Sequence, residues 1–429
     1  MAKDRLITII DVGSSKIVCL IAEHTEDDTV QIIGVSSIPS RGIKKGVIVD
    51  IDQAVEVLSE SLESAERMAG VTVSRVWVSV NGSHISSVNS QGVVAVSSPE
   101  GEITPSDVGR VIEAAKAVSM PSSREVVHVI PRTFIVDQQE GIDDPIGMSG
   151  VRLQVETHII SGASTSIRNL VKSVQEVGLD VENLIFTGLA SSESLLTDTE
   201  KELGVVLVDI GGGTTDLMVF HEGAPVYSSV LKLGGKNITS DIAVGLRVPL
   251  EDAEKIKRFV SMKKPQETNP RDEHNHREDG DEVLDISTLN LESLQKVDKK
   301  FLVEGVMAPR LEELAEEVAQ ELKKSGFDGM TPAGLVIGGG VSYTAGIKKV
   351  FEDELRLPVR LAQPSGVSGL IDEIRGADYA ASVGSILYAL NSSNPGRSLL
   401  PSLPGIGISF DKVSKVKDKA LGFIKSLIP

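Results

Sequence analysis

One cysteine, one tryptophan and an aromatic content of 3% deny this 429-residue chain several common devices. A lone thiol, Cys19, makes no disulfide framework and fits a reducing compartment. Inside the run Ile17-Val-Cys-Leu-Ile it reads as a small buried hydrophobe. So few aromatics build no base-stacking platform. With 43 Lys+Arg against 61 Asp+Glu, a net charge of −18, the chain lacks the basic face that general nucleic-acid binding requires, so no nucleic-acid partner is expected. No apolar run reaches the roughly 20 residues of a bilayer span. Met-Ala-Lys-Asp-Arg leads straight into a strand pattern, without the look of a signal peptide. There is no G-x-x-x-x-G-K-[ST], and Gly338-Gly-Gly-Val-Ser-Tyr343 does not fit G-x-G-x-x-G, so P-loop and dinucleotide folds are disfavoured. What remains is an acidic, soluble α/β chain with room for two or more domains.

What is present is one device used twice. Ile7-Thr-Ile-Ile-Asp11-Val-Gly13-Ser14-Ser15-Lys16 and Val205-Val-Leu-Val-Asp209-Ile-Gly211-Gly212-Gly213-Thr214-Thr215-Asp216 are each an apolar strand, an Asp-x-Gly turn with small hydroxyl residues, and a returning apolar strand. Glycine lets backbone N–H groups close around an anion. An Asp at the strand end can hold Mg²⁺ through water, so Asp11 and Asp209 are candidate metal residues. A third strand, Leu335-Val-Ile, runs into Gly338, Gly339 and Gly340. Either hairpin alone reads equally well as a structural turn. Together the three predict two lobes gripping a nucleotide phosphate chain.

Between the hairpins the texture changes. Short β-rich pieces flank a helix that starts near Thr104-Pro105, which suggests an inserted α+β module over 84–162. Helices are expected over 52–68, 165–177, 251–260, 309–324, 345–355 and 378–390. The segment 262–285 is polar and reads as a flexible excursion. Its His274 and His276 lack cysteine partners and give little support to a metal site.

Residues 391–405 read as a linker and 406–429 as an amphipathic helix. At 100° per residue, Phe410, Val413, Val416, Leu421, Phe423, Ile424, Leu427 and Ile428 share an arc of about 160°, with Lys412, Lys415, Lys419 and Lys425 outside it. An ordinary docked helix would show the same stripe. The local excess of lysine in an acidic chain favours an anionic membrane surface instead.

The motifs resemble the actin, Hsp70 and sugar-kinase superfamily and, within it, the FtsA family of bacterial actin-like division proteins. Matching stretches include both hairpins, Leu335–Ser342 as an adenosine motif, Phe186-Thr-Gly-Leu-Ala-Ser-Ser-Glu193 and Gly376-Ala-Asp-Tyr-Ala-Ala-Ser-Val-Gly384 as connecting helices, and 233–257 as a small subdomain over the adenine. The resemblance implies an actin-like (ribonuclease H-like) two-lobe ATPase fold: first-lobe core 1–83 and 163–202, inserted subdomain 84–162, second-lobe core 203–232 and 309–390, and small subdomain 233–308. It also implies ATP and Mg²⁺ as cofactors, with at most slow turnover. Ser14, Ser15 and Lys16 would contact phosphate, with 211–215 wrapping it from the other side. Lys236 would join the cleft, Glu254 and Lys257 would face ribose and adenine, and Glu193 or Asp216 would position water. Implied partners are the C-terminal peptide of the tubulin-like protein FtsZ, other division proteins, further copies in a filament, and the cytoplasmic face of the membrane. For the peptide, Asn237, Ser240, Asp241, Lys296, Lys300 and Arg310 are the candidate residues. A metabolite kinase would need a sugar pocket and catalytic carboxylate that the sequence does not reveal. A chaperone would need a substrate-binding domain.

Overall fold

The computed structural model describes residues 6–25, 29–117, 120–262, 283–291 and 294–393. The expected excursion, with His274 and His276, lies almost wholly outside them. So do the linker from 394 and the amphipathic stretch carrying Phe410, Val413, Val416, Leu421, Phe423, Ile424, Leu427 and Ile428.

Two sheets repeat one topology. In the first lobe, Leu6–Val12 and Lys16–His24 form an antiparallel hairpin extended by Val30–Pro39, and Arg75–Val80 and Asp180–Phe186 add in parallel on the other side. In the second, Val205–Ile210 and Thr215–His221 form the hairpin, Ala224–Leu231 extends it, and Leu335–Gly338 and Val359–Leu361 add in parallel. The hairpin strands are buried on both faces, as helix-covered sheets require. They read as continuous apolar runs for that reason. Cys19 sits among them, fully buried, its thiol pushed up to about 12 by burial.

The stretch 309–390 does not stay with one sheet. Ser368–Gly369 pairs with Gln31–Ile32 in the first-lobe sheet, and the helix Ala380–Ser393 packs with Ile9, Val18 and Leu20. The end of the stretch expected in the second lobe therefore returns to the first. It crosses the helix Thr187–Leu195 closely: a Cβ on Gly384 would collide with the carbonyl of Ala190, and Ser194 Oγ donates to Ala380 O at 2.7 Å. Small residues are needed there because two helix backbones touch.

The inserted module is a four-stranded antiparallel sheet in the order Ser86–Ala95, Arg152–Ala163, Arg124–Val136, Gln139–Ile142. The helix Pro105–Lys116 covers it, capped by Thr104 and Asp107 acting on each other's backbone. Its sheet leans on both lobes. Toward the second lobe, Asn89 Nδ2 donates to Val226 O at 3.0 Å, Ser87 Oγ to Ser228 O at 2.8 Å, and His158 bridges Asn89 and Ser228. Toward the first, the Phe186 N–H donates to His128 Nε2 at 2.9 Å.

His128 must be neutral to accept that bond, and burial pushes its pKa down to about 3. The unfolded chain takes up this proton near the ordinary value of 6.5 while the folded chain does not, so stability falls as pH drops through the window between them. His128→Gln is expected to remove about 1.4 kcal/mol per pH unit from that slope. Urea unfolding between pH of about 4.5 and 6.5 measures it, and an unchanged slope would show that the folded protein tolerates the protonated ring.

Candidate functional site

The two hairpin turns meet across a cleft of about 1200 Å³. They approach so closely that a Cβ on Gly212 would collide with Ser15 Oγ, and one on Gly213 would come within 2.8 Å of Ser14. Each turn closes with the same bond: Gly13 N–H to Lys16 O at 3.1 Å, and Gly211 N–H to Thr214 O at 2.9 Å. The third glycine strand arrives beside them. Gly339 sits at φ +79°, and a Cβ there would strike Asp209 Oδ1 and the Ile210 carbonyl.

The floor of the cleft is acidic. Asp11 accepts from Ser79 Oγ at 2.6 Å and Ser382 Oγ at 2.8 Å. Asp209 accepts from Ser191, and Asp216 accepts from Thr187 and, at 3.1 Å, from Asn81 Nδ2. Burial, opposed by the Ser191 bond and reinforced by the charge of Asp11, pushes Asp209 up to about 6. Burial and then the neighbouring Asp209 push Asp216 well above the carboxylate range. Asp216 Oδ1 is buried with no hydrogen-bond partner.

The rim is basic. Lys236 donates to Ser14 O at 2.6 Å from across the cleft. Lys257 donates to Gly235 O, Thr239 Oγ1 and Glu254 Oε2, at 3.1, 2.8 and 2.6 Å. Burial disfavours the charge on Glu254, but Lys257, Thr239 and Arg258 outweigh it and hold its pKa below the ordinary value. Lys16 reaches Asp378.

Backbone donors, lysines on the rim and glycines at contact distance suit a phosphate chain. The carboxylate floor alone would repel one. A divalent cation carrying its own waters resolves that conflict and offers a donor to the orphaned Asp216 oxygen. Among the described residues no cluster of three or more His, Cys, Asp or Glu could chelate a metal directly. The donor set thus fits a cation held through water by Asp11 and Asp209.

Asp11, Gly13, Ser14, Ser15, Lys16, Asp209, Gly211, Gly212, Thr214, Asp216, Lys236, Glu254, Lys257, Gly339 and Gly340 all line this one cleft. Others behave differently. Glu193 is not among the lining residues. The helix Thr187–Leu195 presents Thr187 and Ser191 to the two aspartates, and Glu193 lies about 200° round from Ser191, pairing with Lys201 at 2.8 Å. Thr215 is a buried strand residue whose hydroxyl donates to Leu233 O. Gly213 packs on Ser14, and Gly338 packs on Leu195. Both glycines let the backbone pack closely at these points.

The six partner candidates lie on adjoining elements but are engaged in different ways. Ser240 lines the cleft, and Asn237 caps its own helix through Gly234 N–H. Asp241 and Arg310 are closed on each other by two bonds, at 2.6 and 3.0 Å. Lys296 and Lys300 are exposed. Ser79, Asn81, Thr187, Ser191, Ser382 and Asp378 had no role assigned from the sequence. Only the i, i+4 pair of hydroxyls at 187 and 191 left a readable trace.

Comparison with known proteins decides the family. The model described as "Cell division protein FtsA" matches residues 206–384, and that described as "SHS2 domain inserted in FTSA" matches 82–161. The chain is 37% identical to the cell division protein FtsA of Pseudomonas aeruginosa over 408 residues, covering 95% of this chain and 94% of that protein. The chain belongs to the FtsA family of cell division proteins. The FtsA of Escherichia coli K12 is 36% identical over 399 residues, 91% of this chain and 92% of its own. Among solved structures, the PilM-PilN type IV pilus biogenesis complex matches at TM-score 0.61 with 16% identity, covering 90% of this chain and 98% of that one. MreB5 of Spiroplasma citri bound to ADP matches at 0.52 with 15% identity, covering 91% and 98%. These likenesses establish the expected actin-like ATPase fold with its inserted module. No described helix of this FtsA-family chain is long and apolar enough to cross a membrane.

Gly339→Ala is expected to lower the unfolding free energy by more than about 1 kcal/mol, since it combines a positive φ with a backbone collision. Gly340→Ala, whose Cβ would meet nothing nearer than Asp378 Cβ at 3.2 Å, should cost less. Urea titration of the two variants checks the order, and equal losses would contradict the close approach at Gly339.

Proposed function

We propose that this FtsA-family chain binds ATP with Mg²⁺ in the interlobe cleft, assembles into filaments in the ATP-favoured state, and tethers FtsZ filaments to the cytoplasmic face of the membrane at the division site. One observation carries the nucleotide reading: two glycine-hydroxyl hairpins and a third glycine strand converge on a carboxylate floor with a lysine rim. The fold neighbour described as bound to ADP supports it. In this reading Ser14, Ser15, Gly211, Gly212 and Thr214 hold the phosphates. Asp11 and Asp209 order the waters of Mg²⁺, and Glu254 and Lys257 meet the nucleoside end. Asp216, rather than Glu193, is the carboxylate placed to hold a water, since only it lines the cleft. Turnover is at most slow, since Thr187 and Asn81 hold Asp216 and burial favours its neutral form.

The membrane reading rests on the lysine-flanked apolar stripe of 406–429. Weak single-helix binding suits a filament, where many copies act together. The FtsZ peptide is assigned to the small subdomain, where Lys296 and Lys300 are exposed. Arg310 is spent on Asp241 and contributes only if that pair opens.

Asp209→Ala is expected to weaken Mg-ATP binding at least about tenfold, about 1.4 kcal/mol, by calorimetry. Equal affinity would remove Asp209 from the site. Deleting 406–429 should abolish pelleting with anionic liposomes while ATP binding persists, and undiminished pelleting would refute the anchor.

A further inference from the structure

The hairpin lysine already has an occupant. Lys16 Nζ donates to Asp378 Oδ2 at 2.6 Å and stands 3.3 Å from the centroid of the Tyr379 ring. Both partners belong to the turn Ala377–Tyr379, 362 residues along the chain at Asp378. That turn is fixed. The Ala377 N–H donates to Tyr343 OH at 2.6 Å, and the Gly339 N–H donates to Ala377 O at 3.1 Å, so it is built onto the third glycine strand. Lys16 is the adjustable member, a flexible stem whose side chain is 25% exposed. Its pair with Asp378 is partly open to water, so exchanging one anion for another is cheap.

We propose that Asp378, with the face of Tyr379, is a holding site for Lys16 that competes with the phosphate chain of a bound nucleotide, so that Asp378 is a positioning residue acting through Lys16. This rests on the nucleotide reading of the cleft. A ligand takes the lysine only by offering more negative charge than one carboxylate, which a triphosphate does and a nucleoside does not. The carboxylate therefore makes affinity depend on phosphate charge and costs some of it for every nucleotide. Once Lys16 has moved, Asp378 is left without its cation at the head of the helix Ala380–Ser393.

The test is a double-mutant cycle in the full chain, by calorimetry with Mg-ATP and adenosine. Asp378→Asn removes the competing charge and nearly preserves shape; it should tighten Mg-ATP binding about fivefold and leave adenosine unchanged. Lys16→Met should weaken Mg-ATP binding, and adding Asp378→Asn to it should change affinity less than about twofold, because the lysine through which Asp378 acts is gone. Misfolding cannot mimic a gain of affinity. Unchanged or weaker binding by Asp378→Asn overturns the proposal. The same gain without Lys16 overturns it too, since Asp378 would then act only as a charge near the cleft. Wild-type protein that binds no Mg-ATP sinks the nucleotide reading itself, a result distinct from wild-type affinity in the variant.

Discussion

Three carboxylates converge on one cleft floor, and this is the constraint that the remaining architecture answers. Burial raises both Asp209 and Asp216, helped by the charge of Asp11 on the first and of Asp209 on the second, a combination that a fold tolerates only where donors are supplied or a cation is expected. The donors come from elements far apart in sequence: Ser79 and Asn81 at the end of a first-lobe strand, Thr187 and Ser191 on one connecting helix, Ser382 on the other. Those helices must cross at backbone contact to deliver them. The glycine at 384 and the alanine at 190 are thus part of the site's electrostatics, although neither touches it.

The duplicated sheets give this arrangement its symmetry. Each places an Asp near the end of its first hairpin strand, Asp11 opposite Val18 and Asp209 opposite Asp216. The extra carboxylate of the second lobe is where the copies differ. Lysines are distributed to compensate: Lys16 from the first hairpin, Lys236 and Lys257 from the small subdomain. An acidic protein carries its local positive charge where an anion would enter.

Local chemistry was readable in the chain because glycine, hydroxyl and Asp at fixed spacing already define a turn. Both hairpins, the third glycine strand and the capped helix after Thr104 follow from such rules. Residues that depend on how helices are rotated did not follow. Glu193 belonged to a plausible motif, yet two positions beyond Ser191 turned it away from the cleft toward Lys201. Gly338 and Gly339 are adjacent in one motif, but the strand ends at the first, which faces Leu195, and a positive φ turns the second against Asp209. Arg310 looked available until Asp241 was found beside it. The return of Ser368–Gly369 to the first sheet is a long-range pairing that periodicity cannot register.

The His158–Asn89–Ser228 cluster has a mechanical meaning. The insert grows from the first lobe but is stitched to strand Ala224–Leu231 of the second, so the halves of the molecule share a third joint besides their crossing helices. A scissoring motion about those helices alone would break these polar contacts. Any breathing of the cleft must instead carry the inserted sheet with it, which makes that sheet an outboard lever whose tilt registers the separation of the lobes.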